Sequence, residues 1–213
     1  MFDEILSAAK NSELSGITLE FEAKVQKILE QRTGSAFQLG KGGLFSQERR
    51  ELAMRYSYAI PSTKALELIG KYSPLIEMGA GNGYWSHLLQ ERGTDIIAFD
   101  IAPPANGKNE KFIGNKTWTK VWKGDQKALL SHSDRTLFLC WPPYQEKMAS
   151  GMLKAYKGDY LIYVGEVGDY SNCCTGDELF HKNLHQDFQQ VESLTLTTWP
   201  GNHDYLSVWK RNK

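Results

Sequence analysis

Residues 75–83 read Leu75-Ile76-Glu77-Met78-Gly79-Ala80-Gly81-Asn82-Gly83, and Asp100 follows at the end of the next apolar run. The apolar stretch from Pro74 to Met78 predicts a strand. The glycines at alternate positions 79, 81 and 83 predict a tight turn in which the backbone approaches a ligand with no Cβ in the way. A helix is expected from Tyr84 to Arg92, closed by Gly93, then a second strand from Asp95 to Phe99 ending in an acid. Strand, glycine turn, helix and strand with a terminal acid make the first unit of a nucleoside-binding α/β sheet, the acid being placed to accept hydrogen bonds from ribose hydroxyls.

The glycine spacing separates two kinds of ligand. Dinucleotide sites carry G-x-G-x-x-G; here the third glycine comes one residue early and Glu77 stands two residues before the first. Glu-x-Gly-x-Gly-x-Gly resembles motif I of the class I methyltransferases that use S-adenosylmethionine (SAM). An acid suits that cofactor's ammonium and sulfonium charges, and the helix N-terminus then has no anion to hold beyond the methionine carboxylate. The resemblance implies cofactor contacts from Glu77, Gly79, Ala80, Gly81 and Gly83, and from Asp100 with Ile101 beside the adenine. It also implies contacts from Asp125 at the adenine amino group, with Gln126 beside it, and from Cys140. Asp125 is equally suited to cap the following helix, and the two roles are compatible. In the segment Tyr56-Ser-Tyr58-Ala-Ile60-Pro61, either Tyr56 or Tyr58 could lie over the cofactor as a lid, core packing being the alternative.

The rest of the chain continues the alternation. Short strands are expected at Val121–Lys123, Thr136–Cys140, Tyr160–Val164, 191–199 and 205–209, with helices at 126–130, 145–157 and 176–188. The resulting fold class is α/β: a seven-stranded, mostly parallel class I methyltransferase sheet with helices on both faces and a helical N-terminal extension. In that family the last two strands form a hairpin and the final one runs antiparallel to the rest. The extension is placed at residues 1–55, with a glycine-rich break at 33–46 and a helix capped by Ser46, and the domain proper at 56–213. Pro61-Ser62 is expected to open a further helix.

Composition narrows the function classes. The chain has 213 residues, 25 basic and 25 acidic, so no global charge draws it to nucleic acid or anionic membrane. No apolar run approaches a membrane span, and Met1-Phe-Asp-Glu4 begins with acids where a signal peptide carries basic residues. The three cysteines, two of them adjacent (Cys173 and Cys174), argue for a reducing, cytoplasmic setting. No metal is expected: His181 and His185 have helix spacing, but the cysteines lack the two-residue gap of a zinc site.

The fourth strand ends Cys140-Trp141-Pro142-Pro143-Tyr144. This resembles the Asn/Asp/Ser-Pro-Pro-Tyr motif of methyltransferases that modify planar amino groups. There the polar side chain and the first proline's carbonyl accept hydrogen bonds from the target NH₂, and the aromatic ring stacks on its plane. The resemblance makes Pro142 and Tyr144 candidate catalytic residues, and Trp141, Pro143 and Tyr144 the substrate contacts; Glu166, which follows the fifth strand, is a further catalytic candidate as the missing acceptor or a general base, an ordinary loop carboxylate being the alternative. Trp141 departs from the motif, because indole donates a hydrogen bond and accepts none. Lys108, Lys111, Lys116, Lys120, Lys123 and Lys127, interleaved with Phe112, Trp118 and Trp122, leave nucleic acid open as a partner. The function expected is SAM-dependent methyl transfer, directed to nitrogen of a nucleobase or other planar amine. The alternatives are a small-metabolite methyltransferase and a SAM-binding protein without transferase activity.

Overall fold

The computed structural model describes residues 21, 23–25, 27, 44–106, 109, 111–112, 117–167, 174–199 and 202–213, without the side chains of 44–46, 48 and 106. Lys108, Lys116, Cys173 and residues 33–43 of the glycine-rich break lie outside them. One sheet organises the chain. Its strands are β1 (Leu75–Met78), β2 (Ile96–Asp100), β3 (Val121–Lys123), β4 (Thr136–Cys140), β5 (Tyr160–Gly165), β6 (Phe188–Thr195) and β7 (Tyr205–Arg211). They lie in the order β3-β2-β1-β4-β5-β7-β6. From β3 through β2, β1 and β4 to β5 every pairing is parallel, and β7 runs antiparallel to both β5 and β6. The seven strands and the antiparallel final strand are as expected.

The helices are α1 (Leu44–Arg55), α2 (Thr63–Gly70), α3 (Tyr84–Glu91), α4 (Met148–Ala155) and α5 (Glu178–Asp187), with 3₁₀ turns at Pro104–Asn106 and Gln126–Ser131. They cover both faces of the sheet, and the period-2 alternation of each strand divides two cores between them. Leu75, Phe138, Ile162, Val164, Leu206 and Val208 face a core completed by α2 and α3, which also takes Phe21 and Val25. Ile76, Met78, Leu137, Leu139, Leu161 and Tyr163 face a second core with α4 and α5. Each such side chain removed from water contributes roughly 1.5–3 kcal/mol, so the central strands have no face on which to tolerate a charge without a partner.

Local chemistry sets the boundaries. Ser62 caps α2 as expected, its hydroxyl accepting the Ala65 amide at 3.2 Å. Helix α1 begins at Leu44, two residues before the expected cap, so Ser46 lies in its first turn. The helix expected over 145–157 is confined to Met148–Ala155: Gln145 has φ +62 and Tyr156 is extended, and neither conformation continues a helix. β6 starts at Phe188 rather than 191 because α5 passes straight into extended backbone there. The buried Phe188 ring lies 4.4 Å from the Arg211 guanidinium and anchors the change.

Candidate functional site

The carboxyl ends of β1, β2 and β4, with the turn after β3, open onto one cleft of about 1130 Å³. In parallel sheets this is the end where ligands bind, on either side of the first strand where the order reverses. The glycine turn forms its floor. Gly79, Gly81 and Gly83 all have positive φ, +76, +56 and +76, which side-chain-bearing residues adopt at a cost. Space is closed to a Cβ as well: the Met148 methyl lies over Gly79 and the Phe112 ring over Gly81.

Asp100 stands beside this turn, 8% exposed. One carboxylate oxygen accepts the Gly81 amide at 2.9 Å and the other accepts the Ala102 amide at 2.8 Å. Each oxygen keeps a further lone pair for a ligand hydroxyl. Glu77 is buried on β1 and accepts the Ser86 hydroxyl from α3. Burial pushes its carboxyl up to about 8; the Ser86 hydrogen bonds oppose that shift and the Asp100 charge reinforces it. Asp125 accepts the Lys127 amide at 2.9 Å, capping the 3₁₀ turn, while also lining the cleft. Gln126, Ile101, Ala80, Cys140 and Tyr58 line it too. Ile101 is 71% exposed, an apolar side chain at the open mouth. Burial holds the Cys140 thiol well above its ordinary range, with the Glu77 and Asp204 charges acting in the same sense.

Of the residues expected at the acceptor end, Trp141, Pro143 and Tyr144 line the cleft, whereas Pro142 and Glu166 do not. Pro142 is buried and its carbonyl accepts the Gly176 amide at 2.9 Å. Glu166 is buried as well, accepting the Cys174 amide at 2.6 Å and the His203 amide at 2.8 Å. Gly83 also stands outside the cleft wall; it caps α3 against Thr119 and Val121. Trp141 has φ +51, unusual for a bulky residue. Its ring lies flat on Tyr58, centroids 5.1 Å apart at 12°, and its indole N–H donates to Asp204 at 2.9 Å. Burial raises the Asp204 carboxyl to about 6, against the lowering effect of that hydrogen bond.

Arg50, Trp85 and Met148 also line the cleft and were not singled out as site residues from sequence, and Phe112, marked only among the lysine-interleaved aromatics, lines it too. For Trp85 a signal was present, since it directly follows the Gly83-Tyr84 end of the glycine motif. In the lysine-aromatic stretch, Lys111 pairs with Glu146 at 3.3 Å across the cleft mouth. The Lys120 ammonium lies 3.4 Å from the Trp122 ring centroid, and Trp118 donates to the Arg55 carbonyl at 2.9 Å. Among the described residues no group of three metal-ligating side chains converges, and no helix is long and apolar enough to cross a membrane.

The strand order and the glycine turn at its reversal point decide the architecture. The chain has the class I methyltransferase fold. No family model matches it, and neither does any curated protein. Several solved structures are similar. Magnesium protoporphyrin IX methyltransferase (ChlM) from Synechocystis PCC 6803, crystallised with SAH, is 12% identical, with 81% of this chain and 90% of that one covered and a TM-score of 0.47. The N-methyltransferase NodS from Bradyrhizobium japonicum WM9, in complex with S-adenosyl-L-homocysteine, is 12% identical over 89% and 98% of the two chains, TM-score 0.46. An rRNA methylase from Streptococcus thermophilus is 13% identical over 70% and 94%, TM-score 0.40.

Proposed function

We propose that the protein is a SAM-dependent methyltransferase with its cofactor in the cleft at the carboxyl ends of β1, β2 and β4. The observation that carries this reading is the convergence of Glu77, the glycine turn and Asp100 on one wall. The residues fit the group. Asp100 has lone pairs left for two ribose hydroxyls, Glu77 is an acid for the ammonium, and Asp125 and Gln126 on the cleft lining are suited to the adenine amino group. Bound SAM supplies an electrophilic methyl. The protein's part is to orient the two reactants and exclude water, with little acid–base work.

A nitrogen acceptor remains the leading chemistry, and Tyr144, 42% exposed on the cleft wall, is suited to stack on a planar target. One observation favours a second reading, a small-metabolite acceptor that is not amide-like. The motif that grips a planar NH₂ has its acceptors at positions 141 and 142; here Trp141 directs its indole at Asp204, and the Pro142 carbonyl is buried against Gly176. The test is methyl transfer from labelled SAM to cell fractions separated into DNA, RNA, protein and small molecules. Label in the nucleic-acid fractions supports the first acceptor class and label in the small-molecule fraction the second. Label in none of them, with SAM bound, leaves a SAM-binding protein without transferase activity.

A further inference from the structure

We propose that the indole N–H of Trp85 is the donor that holds the carboxylate of the cofactor's amino-acid end, and so selects ligands that carry one. The inference rests on the SAM reading above. Trp85 lines the cleft at the second position of α3, 2% exposed, with its ring packed edge-on to Phe138 at 5.9 Å. Its Nε1–H is buried with no hydrogen-bond partner among the described residues. Buried donors in native proteins are nearly always paired, and an unpaired one calls for an explanation.

Most neighbouring donors are already engaged. The Gly79 and Ala80 amides donate to the Phe99 carbonyl at 2.8 and 2.9 Å, and Gly81 to Asp100 at 2.9 Å. Gly83 donates to the Ala80 carbonyl at 2.8 Å, and Tyr84 to the Asn82 side-chain oxygen at 3.2 Å. The Ser86 hydroxyl is engaged by Glu77. Of the ionisable side chains lining the cleft, Glu77 and Asp100 are acids that suit an ammonium and oppose a carboxylate, and Arg50 is a cation that competes with Trp85 for the carboxylate. A zwitterionic amino-acid tail brings both charges into this end of the cleft. Its carboxylate needs a donor, and two features supply a positive environment at Trp85: the unpartnered indole N–H and the N-terminal end of the eight-residue helix α3. Phenylalanine at 85 would keep the packing and lose only the donor.

The test is calorimetry on the full chain with SAM and with decarboxylated SAM, which keeps the adenosine, sulfonium and ammonium. The wild type is expected to prefer the carboxylate-bearing ligand by about tenfold or more. Trp85→Phe is expected to lose most of that preference, with its affinity for decarboxylated SAM unchanged. A variant that keeps the wild-type preference, or that loses affinity equally for both ligands, overturns the assignment. If the variant does not fold, ¹⁵N NMR of the wild type decides: one of the six tryptophan indole signals should move downfield with SAM and not with the decarboxylated ligand. No carboxylate-dependent indole shift would contradict it. A wild type that binds both ligands equally overturns the role of Trp85 alone. A wild type that binds neither overturns the cofactor reading, and this inference with it.

Discussion

The Gly176 amide donates to the Pro142 carbonyl at 2.9 Å, tying the Pro-Pro turn after β4 to the approach to α5. One residue upstream, Trp141 holds Asp204 through its indole N–H at 2.9 Å. Together these bonds make the turn a structural joint among β4, α5 and the segment entering β7. They also turn the Pro142 carbonyl toward Gly176 rather than the cleft, while Trp141 stays on the cleft wall.

Removing the indole N–H should therefore register as lost stability. Trp141→Phe keeps a ring against Tyr58 but leaves the buried Asp204 carboxylate without its donor, at a cost of about 1.5–3 kcal/mol for a hydrogen bond to a charged group. Urea unfolding measures it. Stability equal to wild type would mean that the Trp141–Asp204 bond contributes nothing.

Glu77 should make stability fall as pH rises. Its folded-state pKa of about 8 lies above the ordinary value of 4.5, so between those values the native state holds a proton that the unfolded state releases. The stabilisation is complete below about 4.5 and is lost as pH rises through about 8. The whole step is on the order of 5 kcal/mol at most, at about 1.36 kcal/mol per pKa unit. Asp204, raised to about 6, adds a smaller loss of the same sign. Unfolding free energies from pH 5 to pH 9 should decline in the wild type and decline much less in Glu77→Gln; parallel profiles would refute the assignment.

The same group links ligand binding to proton release. At pH 7 Glu77 is mostly protonated, and a cationic ammonium beside it favours the carboxylate. SAM binding near pH 7 should release up to about one proton. Calorimetric titrations in buffers of different ionisation enthalpy read this directly. Binding heats independent of buffer would place the ammonium away from Glu77.

Two glycines of one turn should respond differently. Gly83→Ala meets φ +76 together with Val121 at 2.8 Å and Thr119 at 3.0 Å, so about 1–3 kcal/mol of stability should be lost. Gly83 is off the cleft wall, so the folded fraction should bind SAM as before. Gly81→Ala lies on the wall under the Phe112 ring and should lose affinity as well. Equal affinities in the two variants would contradict this division.

Much of this was legible along the chain because the informative residues are neighbours. Glu77 to Gly83 specify a turn by their own backbone demands, and Asp100 ends the next strand in one reading frame. The apolar runs of β1, β4 and β5 report burial on both faces. Long-range pairings left no such mark. Nothing local to Pro142 indicates that Gly176 meets its carbonyl, and Glu166 reads as a catalytic candidate until residues 174 and 203 are brought to it. Trp141 was visible as a departure from its motif, but its partner Asp204 lies 63 residues away. The start of β6 was misplaced because α5 meets it with no turn residue between them.

The central claim is that this cleft holds SAM with Asp100 at the ribose. Calorimetry on the wild type and Asp100→Ala, with SAM and with a nicotinamide dinucleotide as competing ligands, tests it most directly. The expected result is one SAM bound per chain, no comparable binding of the dinucleotide, and affinity for SAM reduced about tenfold or more in a folded Asp100→Ala variant. Preference for the dinucleotide, or unchanged SAM affinity in that variant, would contradict it.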